Sequence, residues 1–224
     1  MSGSADGAGS DPPLPVRVGG ADIHVLGTVH GLLSEVERVA AAFARLRPDA
    51  VGLGVAPAEL EALEAHAAGQ VPEEDEPSET IDPSESYAIG LSRFGEIGLP
   101  PPDLLAALQL AREAGVEPVA IDLDESQYAD IFAASVGPFA LFRYGRRVRR
   151  MAKRPPPGDT PRAFALAWDR KIRALRGFDA VERTRERHMA VRLETVSAGA
   201  RVLLAIVDVA RADGVVAELK RRNP

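Results

Sequence analysis

The sequence predicts an α/β fold in which a central mixed sheet is flanked by helices and carries a helical insert. Short apolar runs of strand length alternate with segments of helical periodicity at both ends of the chain. Between these ends, from about residue 125 to 197, the pattern is helical throughout. A chain of 224 residues that is 46% hydrophobic is long enough for one domain with a substantial core.

The N-terminal region differs in composition from the rest of the chain. Residues 1–15 are rich in Gly, Ser, Asp and Pro, so we expect a disordered tail followed by one folded domain over residues 16–224. The tail has neither the basic start nor the apolar core of a secretory signal peptide. No stretch approaches the roughly 20 apolar residues that cross a bilayer. These features predict a cytoplasmic protein without a membrane span.

Composition also restricts the chemistry that the chain can perform. It contains no cysteine, which excludes disulfides, thiolate metal sites and a cysteine nucleophile. Any metal would therefore need His, Asp, Glu or backbone ligands. The formal net charge of −6 gives no reason to expect nucleic-acid binding.

The first crossover unit begins with a hairpin. Val16–Val18 and Asp22–Leu26 are apolar runs of strand length on either side of Gly19–Gly20, and Gly27 ends the second run. Ser34 is a candidate N-cap because Glu37 follows three residues later, as in a capping box. The helix that follows leads into a buried strand over residues 50–55.

The remaining elements follow from the same periodicities and from Pro and Gly breakers. The predicted strands and helices after residue 56 are helices 57–67, 87–94 and 102–114, strand 116–123, helices 125–135, 138–152, 161–176 and 179–197, strand 201–207, a segment 208–213 and a terminal helix to residue 220. The acidic, Pro-rich segment 70–79 is predicted to be an exposed loop, with a cation-binding role as the alternative.

His30 is the strongest single candidate for a functional residue. It follows a strand and a glycine, at the carboxyl edge of the predicted sheet, which is where ligands bind in open α/β sheets. A histidine in such a loop serves either as a hydrogen-bonding group or as a metal ligand, and the Gly-x-x-His spacing alone does not distinguish the two.

Four stretches of the chain carry a family resemblance. They are residues 24–39 (HVLGTVHGLLSEVERV), 47–63 (RPDAVGLGVAPAELEAL), 185–193 (RERHMAVRL) and 201–219 (RVLLAIVDVARADGVVAEL). In order and spacing they resemble the TraB/PrgY family, which is related to the Tiki and GumN proteins. The resemblance covers roughly half of the chain. It implies a mixed sheet flanked by helices, with two Gly-x-x-His turns side by side.

The resemblance also implies where this chain departs from the family. The first turn is intact as Gly27 and His30, whereas the second turn has Asp208 in place of its glycine and Arg211 in place of its histidine. The Tiki branch is described as metal-dependent peptidases. A catalytic zinc takes about three protein ligands, and the loss of the second histidine therefore predicts a degenerate site.

Two acidic positions of the family are also replaced. The glutamate at the end of the second crossover strand falls on Gly54, and the glutamate before Arg185 falls on Thr184, whereas Arg185 and Glu186 match. The leading expectation is a TraB-like domain, catalytically degenerate, that binds a small anionic or peptidic ligand or a partner protein in the former active-site cleft. No cofactor is expected on this interpretation.

The candidate site residues follow from the resemblance and from the sheet edge. The candidates for a catalytic role are His30, Arg185, Glu186 and Arg211. The candidates for ligand binding are Gly27, Thr28, His30, Asp122, Asp208 and Arg211. An Arg-containing set would suit a phosphate or carboxylate, because the guanidinium presents a bidentate fork.

The alternative is a metal-dependent hydrolase with an altered ligand set. His30 and Asp208 would then hold a divalent metal, with Asp122 completing the set. Asp122 and Asp124 end the strand predicted over 116–123, where alternation would place both on one face of the sheet. Asp124 has a second interpretation, as the N-cap of the next helix.

The inserted helices raise two further questions. The basic run from Arg143 to Arg154 is predicted to be a solvated helix face, paired with acidic segments such as residues 73–79; binding of nucleic acid or acidic lipid is the alternative. Aromatic residues at helical spacing are expected to pack these helices together or to form a homodimer face. They are Phe132, Phe139, Phe142, Phe164 and Trp168.

Overall fold

The computed structural model describes residues 15–70 and 83–224. The expected N-terminal tail, apart from residue 15, and the predicted acidic loop, apart from residue 70, lie outside the described residues. The described chain is α/β, with a five-stranded mixed sheet in the order β1-β2-β5-β3-β4. Its strands are β1 (Val16–Val18), β2 (Ala21–Thr28), β3 (Ala50–Leu53), β4 (Pro118–Ala120) and β5 (Val202–Asp208).

Helices account for most of the remaining described chain. They are α1 (Glu35–Leu46), α2 (Pro57–Ala67), α3 (Pro83–Leu91), α4 (Pro102–Glu113), α5 (Glu125–Ser135), α6 (Pro138–Lys153), α7 (Pro161–Arg173), α8 (Phe178–Val196) and α9 (Val209–Arg222). A short 3-10 turn over Ser92–Phe94 follows α3. No helix in these two ranges is long and apolar enough to cross a membrane.

The two ends of the chain meet in the middle of the sheet. β5, from the C-terminal end, lies parallel to β2 on one side and to β3 on the other. β1 pairs antiparallel to β2 as the predicted hairpin. In the β2–β5 register, Thr28 is opposite Asp208. The predicted mixed sheet with flanking helices and a helical insert is confirmed.

The two faces of the sheet are covered by different helix pairs. Successive side chains of a strand point to opposite faces, so Leu204 and Ile206 of β5 pack with α1 and α4, whereas Leu203, Ala205 and Val207 pack with α8 and α9. Residues of both clusters are almost fully buried. These four helices do not cover the carboxyl ends of β2 and β5, where a third group of helices packs.

Helices α3, α6 and α7 contribute to that third group. Phe164 and Trp168 of α7 form an aromatic cluster with Tyr87 of α3, and the cluster also contacts Val29 and Val209, which directly follow β2 and β5. The prediction that the inserted aromatic residues pack helices together holds for Phe164 and Trp168. It also holds for Phe132 of α5, whose ring centroid lies 5.7 Å from that of Phe178 at the start of α8. Phe139 and Phe142 are instead exposed on α6.

The predicted capping box at the start of α1 is wrong. Ser34 has helical backbone angles, φ −64° and ψ −17°, and its side chain makes no capping hydrogen bond. The amides of Glu35 and Val36 instead donate to the carbonyls of Leu32 and Leu33, at 3.1 and 3.2 Å. Because the preceding turn already satisfies these amides, no side-chain cap is needed there.

Other boundaries also differ from the prediction, and two of them bear on the candidate site. β4 covers only Pro118–Ala120 because it is an edge strand whose sole partner, β3, is four residues long. At the C-terminus no separate segment lies between β5 and α9. Asp208 ends the strand and caps the helix, since its Oδ1 accepts from the Ala210 amide at 2.8 Å.

Candidate functional site

The candidate site lies at the carboxyl ends of β2 and β5. Thr28 and Asp208 are neighbours in the register, His30 follows on the loop after β2, and Arg211 is in the first turn of α9. His30 is close enough to Asp208 and Arg211 that both charges act on its pKa. The structure therefore brings together the two segments that the family resemblance implied to be neighbours, residues 27–30 and 208–211.

His30 is held by a buried carboxylate from α4. Its Nδ1 lies 2.6 Å from Oδ2 of Asp103, which has no exposed surface. The same Oδ2 accepts the Thr28 hydroxyl at 2.8 Å, and Oδ1 accepts the Gly31 amide at 3.4 Å. Because three donors converge on the Asp103 carboxylate, the imidazole ring has one fixed orientation.

The Asp103–His30 dyad shifts the pKa of both groups. Burial alone would lower the pKa of His30, but the hydrogen bond and the charge of Asp103 outweigh it and raise that pKa above 6.5. Burial would raise the pKa of Asp103, yet His30 and Thr28 hold it below 3.8. An ionised carboxylate only accepts hydrogen bonds, so Nδ1 of His30 carries the proton.

Two buried polar atoms at the site have no hydrogen-bond partner. Nε2 of His30 is one. Nε of Arg211 is the other: it lies 2.8 Å from Oε2 of Glu182, but without hydrogen-bond geometry. Of all the side chains described, only Ser86 has another such atom, its Oγ. At the ends of β2 and β5, Nε2 of His30 is thus the described buried atom that has neither a hydrogen bond nor an ion-pair contact.

A chain of alternating charges runs along the edge from Arg211. Arg211 pairs with Glu182 and, at 3.6 Å, with Asp208. Glu182 also lies 3.4 Å from Arg185, whose guanidinium forks onto both oxygens of Asp122. Of the predicted site residues, Asp122, Arg185, Arg211 and Asp208 thus belong to one network, which Glu182 completes.

Glu186 lies near this network, since the charges of Glu182 and Arg211 act on its pKa, but its own ion pair is with Arg173. Oε1 of Glu186 accepts a hydrogen bond from Nη2 of Arg173. Nε of the same arginine lies 2.8 Å from Oδ2 of Asp169. Gly214 of α9 lies against the Glu186 carboxylate so closely that a Cβ there would overlap it. The structure therefore places Glu186 in the contact between α7, α8 and α9, where it has a packing role.

Gly27 is buried against α9 and offers no surface to a ligand. A Cβ at this position would lie 2.9 Å from Cβ of Ala212 and 3.2 Å from Cα of Val209. Gly54, which stands where the family has a glutamate, is equally confined, with a Cβ reaching 3.0 Å from Cα of Val207. Close packing between strands and helix accounts for both glycines.

Asp122 and Asp124 have separate roles. Asp122 is buried and bound by Arg185, whereas Oδ1 of Asp124 caps α5 by accepting from the Gln127 amide at 2.8 Å. The prediction that both face one side of a strand is wrong, because β4 ends at Ala120. A cleft of about 290 Å³, lined partly by Asp122, Arg185 and Tyr128, opens beside them.

The residues present do not fit a metal site of the kind that the resemblance implies. Among the described residues, no three His, Asp or Glu side chains lie close enough to hold one ion. His30 offers Nε2, but Asp208 is engaged as a helix cap and faces the fixed positive charge of Arg211. Asp122 is occupied by Arg185, which leaves one available ligand where zinc takes about three.

Sequence reasoning missed Asp103 and Glu182. Asp103 reads as an ordinary acidic residue in the first turn of a helix, where it suits the helix dipole. The only sequence signal is its position immediately after Pro102, which places it in the first turn of α4. Glu182 lies on α8, one helical turn before Glu186. The sequence signal that could have identified it is this spacing from the Arg185–Glu186 motif.

Comparison with known proteins adds no assignment. No protein-family model matches the chain, and no curated protein matches it in sequence. The fold and site define an α/β protein with a buried Asp–His dyad beside an ion-pair network at the carboxyl edge of its sheet.

Proposed function

We propose that this chain is a TraB-like binding domain whose metal-hydrolase residues have been replaced, and that it binds a peptidic ligand at the carboxyl edge of the sheet. The ligand would be a free peptide or a segment of a partner protein. The former active-site cleft would thus serve recognition in place of hydrolysis. Replacement of the second turn by Asp208 and Arg211 is the basis for the loss of metal chemistry.

The single observation that carries the proposal is the buried Nε2 of His30, which has no hydrogen-bond partner and lies close to the ion-paired guanidinium of Arg211. A buried polar group without a partner costs about 1–3 kcal/mol. Groups of this kind in folded proteins generally have a partner, either in the protein or in bound molecules. When the ring of His30 is protonated, Nε2 is an N–H donor that lacks an acceptor. When the ring is neutral with its proton on Nδ1, Nε2 is an acceptor that lacks a donor, and a peptide group supplies either partner.

The surrounding charges favour a peptide over a small anion. In the network, the carboxylates of Asp122, Glu182 and Asp208 outnumber the guanidiniums of Arg185 and Arg211. Asp103 is already engaged by hydrogen bonds to His30, Thr28 and Gly31. A phosphate or carboxylate would add another negative charge, whereas a peptide group offers a carbonyl oxygen to the donors and an N–H to the carboxylates.

The site is reachable from solvent. Although Nε2 and Nε themselves are covered, the side chains of His30, Arg211 and Asp208 keep 20, 18 and 21% of their surface exposed. Part of each side chain that carries these atoms is therefore accessible to a ligand. Tyr87 lies nearby on α3, since the charges of Asp208 and Arg211 act on its pKa.

The proposal is tested by titrating trialanine and, separately, inorganic phosphate into protein with ¹⁵N-labelled histidine rings, observed by NMR. Trialanine is expected to shift the Nε2 resonance of His30, and phosphate to leave it unchanged. His30→Gln and Arg211→Gln should each weaken trialanine binding about tenfold or more, the effect of one charge-assisted hydrogen bond. His66→Gln is the matched control, because His66 lies in the last turn of α2, and it should bind as the wild type does.

The titration has two contradicting outcomes. A response to phosphate alone would assign the site to small anions. Equal trialanine binding by wild type and His30→Gln would remove His30 from the site.

A metal-dependent hydrolase is the second candidate, and one observation favours it. An imidazole whose Nδ1 is held by a carboxylate while Nε2 is free is the usual arrangement of a metal-binding histidine. This candidate requires a stoichiometric divalent ion held by His30 and Asp208, and hydrolysis that is lost in His30→Ala.

A further inference from the structure

Helix α6 carries a concentration of positive charge that the site does not use. Seven basic residues lie between 143 and 154, in a chain with a net charge of −6. No Asp or Glu occurs from residue 131 to 158. The positive charge of this stretch is therefore not balanced within its own sequence.

The orientation of α6 is fixed by its inward face. Ala140, Val148 and Met151 are buried against the rest of the protein. The opposite face carries Phe139 and Phe142, which are 72 and 62% exposed. These rings and four arginines line a shallow surface groove of about 350 Å³. The outward face of α6 is defined here as Phe139, Phe142, Arg143, Arg146, Arg147 and Arg150.

The arginines of the outward face have no carboxylate partner among the described residues. Arg143 lies 5.8 Å from the ring centroid of Phe139, and Arg147 donates to the carbonyl of Lys171 at 2.6 Å. By contrast, many arginines elsewhere are paired with acids, as Arg112 is with Glu64 and Arg222 with Glu194. The expected acidic partner segment, residues 73–79, lies outside the described residues.

We propose that the outward face of α6 binds the surface of an anionic phospholipid membrane. Phe139 and Phe142 would enter the boundary between headgroups and acyl chains, while the arginines contact lipid phosphates. A helix with exposed aromatic residues and a basic face is the usual composition of an interfacial anchor. Clustered basic residues bind acidic lipid cumulatively.

The arrangement disfavours two other occupants. A second copy of this chain would bring one arginine row against another, and like charges repel at such an interface. Nucleic acid is bound through aromatic side chains interleaved with basic ones along the strand path. Here both rings lie at the N-terminal end of the row, ahead of Arg146, Arg147 and Arg150.

The test is sedimentation of the full chain with vesicles of phosphatidylcholine alone or with 30% phosphatidylserine. Binding is expected only to the vesicles with phosphatidylserine, and it should weaken with added salt. Arg146→Gln combined with Arg150→Gln should lower the partition coefficient about tenfold or more. The matched control is Arg187→Gln with Arg201→Gln, which removes equal charge elsewhere and should leave binding unchanged.

The contribution of the rings is tested with Phe139→Ser combined with Phe142→Ser. Both side chains are exposed, so the fold should tolerate the change, and vesicle binding should fall. Leu33→Ser with Leu99→Ser, two exposed apolar side chains elsewhere, is the control. Phe142→Trp adds an insertion signal, since its emission should shift to shorter wavelength on anionic vesicles while buried Trp168 stays constant.

Three results would overturn the proposal. The first is no sedimentation with phosphatidylserine vesicles at low salt. The second is equal loss in the Arg187/Arg201 control, which would indicate unspecific attraction. The third is that the protein does not bind vesicles but binds a single-stranded RNA oligonucleotide, or self-associates, and that the Arg146/Arg150 variant abolishes this interaction.

Discussion

At the scale of single residues, the Asp103–His30 dyad is the most constrained polar feature of the site. A buried carboxylate with three hydrogen-bond donors fixes one imidazole. Removing one partner of a buried charge pair leaves the other uncompensated, which is more costly than losing an exposed pair. The dyad therefore contributes both to stability and to the orientation of Nε2.

The dyad predicts a pH-dependent effect of Asp103→Asn on stability. Because the pKa of His30 is raised in the folded state, His30 contributes fully to the free energy of unfolding below about pH 6.5. This contribution is lost as the pH rises through the folded-state pKa. The lowered pKa of Asp103 means that its contribution is present above about pH 3.8 and is lost as pH falls through the folded-state pKa. The stabilisation is thus largest between these limits.

Urea unfolding at pH 5.5 and pH 9 measures this effect. Asp103→Asn should lower the free energy of unfolding by about 3 kcal/mol at pH 5.5 and by less at pH 9. Asp213→Asn, at an exposed position on α9, should change it by less than about 0.5 kcal/mol at either pH. An equal loss at both pH values for Asp103→Asn would contradict the charge pair.

His30 was identifiable from sequence, whereas Asp103 was not. A histidine after a strand and a glycine marks the ligand edge of a sheet by local pattern alone. Asp103 lies 73 residues further along the chain, and its inward direction depends on how α4 packs against the sheet. Pairing across such a separation is a property of the fold, which one sequence without its relatives does not reveal.

At the scale of elements, the contact between α8 and α9 depends on Gly214. A helical Gly→Ala substitution normally stabilises by about 1 kcal/mol. At Gly214 the added Cβ would displace the Glu186 carboxylate and break its pair with Arg173. Gly145 of α6 has nothing within 4 Å of an added Cβ, so it serves as the matched position.

These two glycines predict opposite results for the same substitution. Gly214→Ala should lower the free energy of unfolding by about 1–3 kcal/mol, as overpacking does. Gly145→Ala should raise it by about 0.5–1 kcal/mol. Thermal and urea unfolding of the two variants measure both. A gain in stability at both positions would show that Glu186 is free to move.

Most elements were predictable because their signals are local. Pro57, Pro102, Pro138 and Pro161 each start a helix in the structure, as Pro does at the first helical position. The wrong predictions concern positions where the structure depends on a neighbouring segment and not on the local sequence. β4 is short because β3 is short, and Ser34 is not a cap because the Leu32 and Leu33 carbonyls already hold the first amides.

At the scale of the whole molecule, the sheet joins both ends of the chain and so creates the site. Without the β2–β5 pairing, His30 and Arg211 would not share an edge. The family resemblance predicted that junction, but not the ion-pair network along it. Under the proposed function, Asp208 and Arg211 stand in place of the second Gly-x-x-His turn of the TraB/PrgY family, and Nε2 of His30 binds the ligand.

The most direct test of this account is the divalent-metal content of untagged protein, purified without chelator, soaked in zinc and desalted. Elemental mass spectrometry should find less than about 0.1 zinc, manganese or cobalt per chain, because His30 alone does not make a catalytic site. About one ion per chain, lost in His30→Ala, would contradict the account and establish the hydrolase alternative.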